Sequence, residues 1–190
     1  HSGNHSMIVS QLAYDVAQAM ELETGIAETT RIAGTLMNIG KIIVPAEMLT
    51  KRGSLNEDEL RSIRDSMFAS AELLKDVTFD GPVVETLKQA QERWDGTGPQ
   101  GLKEEGILIS ARIIAAVNAF VGMVSPRSYR AALTIESAMK MMYEKVDTAF
   151  DRKVVAALGN YIENLGGREL LQQFFAEKRT MSVVGGTGAA

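Results

Sequence analysis

Apolar residues recur at helical spacing along most of this chain. Ile8, Leu12, Val16 and Met20 fall every four residues and predict a helix with one apolar stripe. A second helix is predicted over 28–39, with Ile32, Leu36 and Ile39 inward. Pro45 closes that region, because its ring and missing N–H stop a helix from continuing. Asn56 followed by Glu59 reads as a capping box, after which Leu60, Ile63, Met67 and Leu74 share a face. Asp80-Gly81-Pro82 opens another helix, with Pro82 near its first turn and Val84, Leu87 and Gln91 behind it. Residues 94–106 are glycine-rich and form the longest candidate loop. The stretch 109–124 is almost continuously apolar, as in a helix buried on several sides. Thr134 caps a helix reaching about Val146, and helices over 151–162 and 169–178 complete the folded part. From Met181 the chain is rich in Ser, Gly and Ala and is expected to be a flexible tail. No internal repeat or strand pair emerges, apart from short strand-like pieces near Val44, so the expected fold is all-α.

Composition narrows the function classes. A chain of 190 residues, 45% hydrophobic and 23% charged, is an ordinary globular sequence. That length buries roughly 70% of the surface its unfolded chain exposes. A net charge of -4 provides no basic footprint for a nucleic-acid polymer. The absence of cysteine excludes disulfides and thiolate metal sites and fits a reducing, cytoplasmic setting. No apolar run approaches the roughly 18 residues of a membrane span. The chain opens at His1-Ser2-Gly3-Asn4-His5 with neither Met nor a signal peptide, and reads as part of something longer.

Candidate chemistry is sparse. His1 and His5, the two histidines, are spaced to share a helix face and a metal. The intervening Gly3 and Asn4 are poor helix formers, and two imidazoles do not fill a coordination shell, so solvated terminal residues are the expectation. Gly96-x-Gly98-x-x-Gly101 matches a dinucleotide fingerprint but lacks the flanking strand, contains Pro99, and reads as a glycine-rich turn. With no cysteine and no histidine near a plausible serine nucleophile, a Ser- or Cys-based triad has nothing to use as base. Glu92 and Asp95, flanking Trp94, are candidate paired carboxylates, although charges beside a glycine loop are more often solvated. Arg127-Ser128-Tyr129-Arg130 could grip a phosphate or tie its loop to acidic neighbours. Lys41 and Arg112 lie within apolar runs, where a long cation must snorkel or find an anion.

Taken in order, these pieces resemble the HD-GYP family, the cyclic-di-GMP phosphodiesterase branch of the HD superfamily. The likeness covers about residues 1–160. It rests on Gly3-Asn4-His5-Ser6, on Leu36 to Ile42 with Val44-Pro45, Leu49, Lys51, Gly53 and Leu55, and on Glu92 to Gly98 with Gly101-Leu102. Ala111-Arg112-Ile113 to Asn118, Tyr129-Arg130 and Phe150-Asp151 complete it. The resemblance implies a single HD-superfamily helical bundle over 1–165, a C-terminal helix over 166–180 and a flexible tail over 181–190. It also implies that positions holding metal ligands in the family are occupied here by Met37, Asn38, Ser66, Ala90, Gln91 and Asn118, with only His5 retained. Gly98 runs directly into Pro99, so the tyrosine of the family's naming loop is missing.

A binuclear iron or manganese site needs several imidazole and carboxylate ligands. The resemblance therefore leads to the expectation of a catalytically inactive, metal-free and cofactor-free regulatory module of a bacterial signalling protein. Its expected partners are flanking signalling domains, other proteins, or a second copy docked through the face of Ile8, Leu12 and Val16. One alternative is a receptor that holds a cyclic dinucleotide without hydrolysing it, through Lys41, Arg93, Trp94 and Arg112. Another is residual hydrolysis using His1, His5, Glu92 and Asp95.

Overall fold

The computed structural model describes residues 2–40, 54–126 and 131–184. His1, Lys41, Pro45, the pieces near Val44, the Arg127-Ser128-Tyr129-Arg130 cluster and residues 185–190 lie outside the described residues. Among the described residues the chain forms eight α-helices: α1 (Ser2–Ala19), α2 (Thr24–Leu36), α3 (Glu57–Leu73), α4 (Val83–Gln89), α5 (Ile109–Val124), α6 (Ile135–Glu144), α7 (Arg152–Asn164) and α8 (Gly167–Val184). A 3-10 turn, Glu104–Gly106, precedes α5. Strand-like pairing among them is confined to an isolated bridge between Val146 and Phe150.

The all-α expectation holds, and α5 is its axis. Ile113, Ile114, Ala116, Val117, Phe120 and Val121 are fully buried along it. Helices α1, α2, α4, α6 and α7 all pack against it. Ile8, Leu12 and Val16 of α1 are buried in the same core. This corrects one expectation: the α1 stripe is spent on the bundle's own core and is not a face left open for a second copy.

Several helix starts follow directly from their caps. The Asn56 side chain accepts from the Glu59 N–H at 2.8 Å, and the Glu59 carboxylate accepts from the Asn56 N–H at 2.8 Å. Thr134 accepts from the Ser137 N–H at 3.1 Å, and Asp151 from the Lys153 N–H at 2.8 Å. Such caps are each worth about 1 kcal/mol. By contrast, α2 begins four residues before its expected start, at Thr24, with no side-chain cap. Burial of Ala27, Thr29 and Thr30 fixes that start through packing. On α3, Met67, Ser70 and Ala71 are buried while Leu60 is 43% exposed. This helix docks by its C-terminal half, so the first turn of its expected apolar face stays in solvent. At the other end of the chain, α8 runs to Val184, past Met181.

Close approach to α3 requires glycine at position 40, where a Cβ would lie 2.1 Å from the Ser66 carbonyl oxygen. The Gly40 N–H donates to Ser70 Oγ at 2.8 Å, and that hydroxyl donates to the Met37 carbonyl at 2.8 Å. One buried hydroxyl thus ties the end of α2 to α3.

Helices α1 and α7 are joined by the Tyr161 hydroxyl, which donates to the Asp15 carboxylate. Burial first, and then this bond and the Asp15 charge, push the Tyr161 pKa above its ordinary value. The unfolded chain therefore loses the phenolic proton at a lower pH than the folded one. Stability from this contact is complete below about pH 10 and declines as pH rises beyond it. Thermal unfolding followed from pH 8 to 11 is expected to show a steeper alkaline loss for the natural chain than for Tyr161→Phe.

Candidate functional site

Where the chain was expected to carry solvated histidines, His5 is buried on α1. The helix runs through Gly3 and Asn4 because the core contacts of Ile8, Val9 and Leu12 outweigh their low propensity. His5 Nε2 lies 2.8 Å from Asn118 Oδ1 on α5. One residue on, Ser6 Oγ accepts from Asn38 Nδ2 at 2.7 Å, just after α2. Met37 and Ser66 are almost completely buried, as is Ala90 at the end of α4. The Gln91 amide donates to the Arg64 carbonyl on α3. Positions far apart in sequence thus fall on or beside five helices, with hydrogen bonds between several of them. Ser70 belongs to this bonding although no local signal in the sequence marked it, and Ser6 was marked only by its place beside His5 in Gly3-Asn4-His5-Ser6.

A second cluster forms around the glycine-rich loop. The loop is fastened to the turn before α7 by the Trp94 N–H to the Ala149 carbonyl (3.2 Å) and the Asp95 N–H to the Thr148 carbonyl (2.9 Å). Arg112 donates to the buried Asp151 carboxylate at 2.6 Å and to the Ile107 carbonyl at 2.9 Å. Its guanidinium carbon sits 5.8 Å from the Trp94 ring centroid, a cation–π contact. The snorkel-or-pair reading of Arg112 resolves as pairing. Arg112 and Asn118 are six residues apart on α5, which separates them by about 9 Å of rise and about a third of a turn. The two clusters therefore occupy different faces of one helix.

The candidate carboxylates turn to different partners. Glu92 is 4% exposed; its Oε1 accepts from the Gln100 N–H at 2.6 Å, and its Oε2 has no hydrogen-bond partner among the described residues. Gly98 lies directly over it, where a Cβ would come within 2.5 Å of Oε2. Asp95 accepts from the Thr97 hydroxyl at 2.6 Å and the Thr97 N–H at 3.1 Å. The Thr97 hydroxyl bond is the main reason its carboxyl stays below the usual aspartate range. Arg93 is exposed and donates to Thr97 Oγ1 at 3.0 Å. The fingerprint-like glycines sit between α4 and the 3-10 turn with no strand before them, which is the glycine-rich turn expected. A cleft of about 730 Å³ lined by Val124, Leu133, Ile135, Leu171 and Phe175 contains none of these residues.

A model of the HD domain matches residues 1–154, most of the chain. The chain belongs to the HD domain family. This HD domain is 32% identical over 177 residues to a cyclic di-GMP phosphodiesterase response regulator of Xanthomonas campestris, covering 92% of the chain and 45% of the relative. It is 32% identical over 143 residues to a 3'3'-cGAMP-specific phosphodiesterase of Vibrio cholerae, covering 75% and 33%. The chain thus spans less than half the length of these relatives. An HDG"Y"P protein of Bdellovibrio bacteriovorus has the same fold, with a TM-score of 0.71, 20% identity and coverage of 86% and 53%. The HD-GYP resemblance is thereby upheld. The expectation of a non-enzyme is overturned, because the relatives are phosphodiesterases and the family is an enzymatic one.

The residues present do not fit the metal centre that the resemblance implies. The side chains at its ligand positions include thioether, methyl, hydroxyl and amide groups, poor matches for a hard, multiply charged iron or manganese pair. Among the described residues no three His, Cys, Asp or Glu side chains converge to hold an ion. Nor is any helix among them long and apolar enough to cross a membrane.

Removing one member of the Arg112–Asp151 pair leaves a buried charge without its partner. Arg112→Ala is expected to lower unfolding free energy by about 3–5 kcal/mol in urea titration, with part of the loss recovered in Arg112→Ala/Asp151→Asn.

Proposed function

We propose that this HD domain recognises a cyclic dinucleotide as one module of a longer bacterial signal-transduction protein. The observation that carries the reading is the Trp94 edge of the glycine-rich loop, in a chain whose relatives are named as phosphodiesterases of cyclic di-GMP and cGAMP. Trp94 is half-buried, braced by Arg112 at its ring and held by main-chain bonds. The exposed part of the indole supplies a stacking surface for a base. Arg93 stands beside it in solvent and supplies a fork-shaped donor for a phosphate. Arg112, committed to Asp151, acts by positioning the indole. Lys41, outside the described residues, is the remaining candidate phosphate contact. The protein partners in this reading are flanking signalling domains.

Trp94 is the chain's one tryptophan, so its fluorescence reports on the site alone. Titration with cyclic di-GMP or 3'3'-cGAMP is expected to change that emission saturably, with matching heat in calorimetry. Arg93→Ala is expected to weaken binding about tenfold, the loss of about 1.4 kcal/mol from one charged contact. The absence of both heat and an emission change at high micromolar nucleotide would refute the proposal.

A further inference from the structure

We infer that hydrogen bonds join α1, α2 and α5 in this chain where the HD-GYP resemblance places a metal centre, and that the bundle closes there without an ion. The mismatch of donors is the starting point, and the His5 geometry takes it further. Asn118 presents its carbonyl oxygen to His5 Nε2 at 2.8 Å. An amide oxygen only accepts, so this contact requires the proton on Nε2. The nitrogen facing Asn118 then has no lone pair for a cation. Asn38 makes the second joint, its amide donating to Ser6 Oγ at 2.7 Å. In both, an uncharged amide links a helix to α1. A carboxylate at either place would be a partly buried charge needing a cation or another strong donor. Met37 and Ala90, at two more of the positions the resemblance assigns to ligands, are apolar and buried, at 1% and 5% exposure. The result is a joint made by hydrogen bonds between side chains of the chain itself.

The inference is independent of nucleotide recognition at Trp94, and its readouts are metal content and stability, so either proposal can fail alone. The chain, produced in medium supplemented with manganese and iron, is expected to carry far less than one equivalent of either by mass spectrometry. Its melting temperature is expected to be unmoved by EDTA or by added Mn²⁺. Asn118→Ala is expected to lower the melting temperature by roughly 2–8 °C, with or without Mn²⁺. Long-range ¹H–¹⁵N spectra of the natural chain, with His5→Gln for assignment, are expected to show the Nε2–H tautomer, a result that does not depend on any variant folding. Stoichiometric metal, a melting temperature raised by Mn²⁺, or an Nε2 without its proton would each overturn the inference.

Discussion

A helix buried on almost every side has to satisfy its few polar side chains inside the protein, and α5 sets that condition for this fold. Ser110, Arg112 and Asn118 are its polar members with partners across the core. The Ser110 hydroxyl meets Thr86 of α4 at 2.7 Å, Arg112 meets the N-cap of α7, and Asn118 meets α1. Each bond selects one neighbour and one rotation of α5 relative to it. Apolar packing supplies most of the driving force and tolerates repacking; buried polar bonds tolerate little, because an unsatisfied partner costs about 1–3 kcal/mol. The arrangement of helices is therefore specified at three points along one element.

Those points are also where the two candidate sites begin. The Asn118 face leads to His5, Ser6 and Asn38. The Arg112 face leads to Trp94, the glycine-rich loop and Asp151. A single helix carries both, and its rigidity fixes their separation. Arg112 illustrates how a cation in an apolar run is accommodated: it pairs with a buried carboxylate and braces an indole, while Arg93 faces solvent.

Much of the fold was legible because its signals are local. The capping box at Asn56 and Glu59, the cap at Thr134 and the apolar run of α5 each depend on residues within a few positions of one another. What was hidden depends on contacts between distant segments. Weak helix formers at Gly3 and Asn4 suggested a solvated terminus, yet a core contact distributed along α1 carries the helix through them and buries His5. The α3 face looked continuous from Leu60 to Leu74, but where a neighbour stops covering a helix is not written in that helix. The site was legible in the same uneven way. The resemblance supplied candidate positions, whereas the pairing of Asn118 with His5 and of Asn38 with Ser6 spans 113 and 32 residues and has no local signature.

The fastening of the glycine-rich loop has a consequence for cooperativity. A loop of this composition ordinarily opens alone, at little cost, while the rest of a protein stays folded. Here its main chain is bonded to residues 148 and 149, its tryptophan rests on an arginine, and that arginine grips the residue capping α7. Releasing the loop breaks its bonds to the turn before α7 and takes the indole from Arg112, the partner of the buried Asp151. The irregular segment is thus tied to the start of a regular helix by main chain and side chain together, which raises the cost of opening it alone.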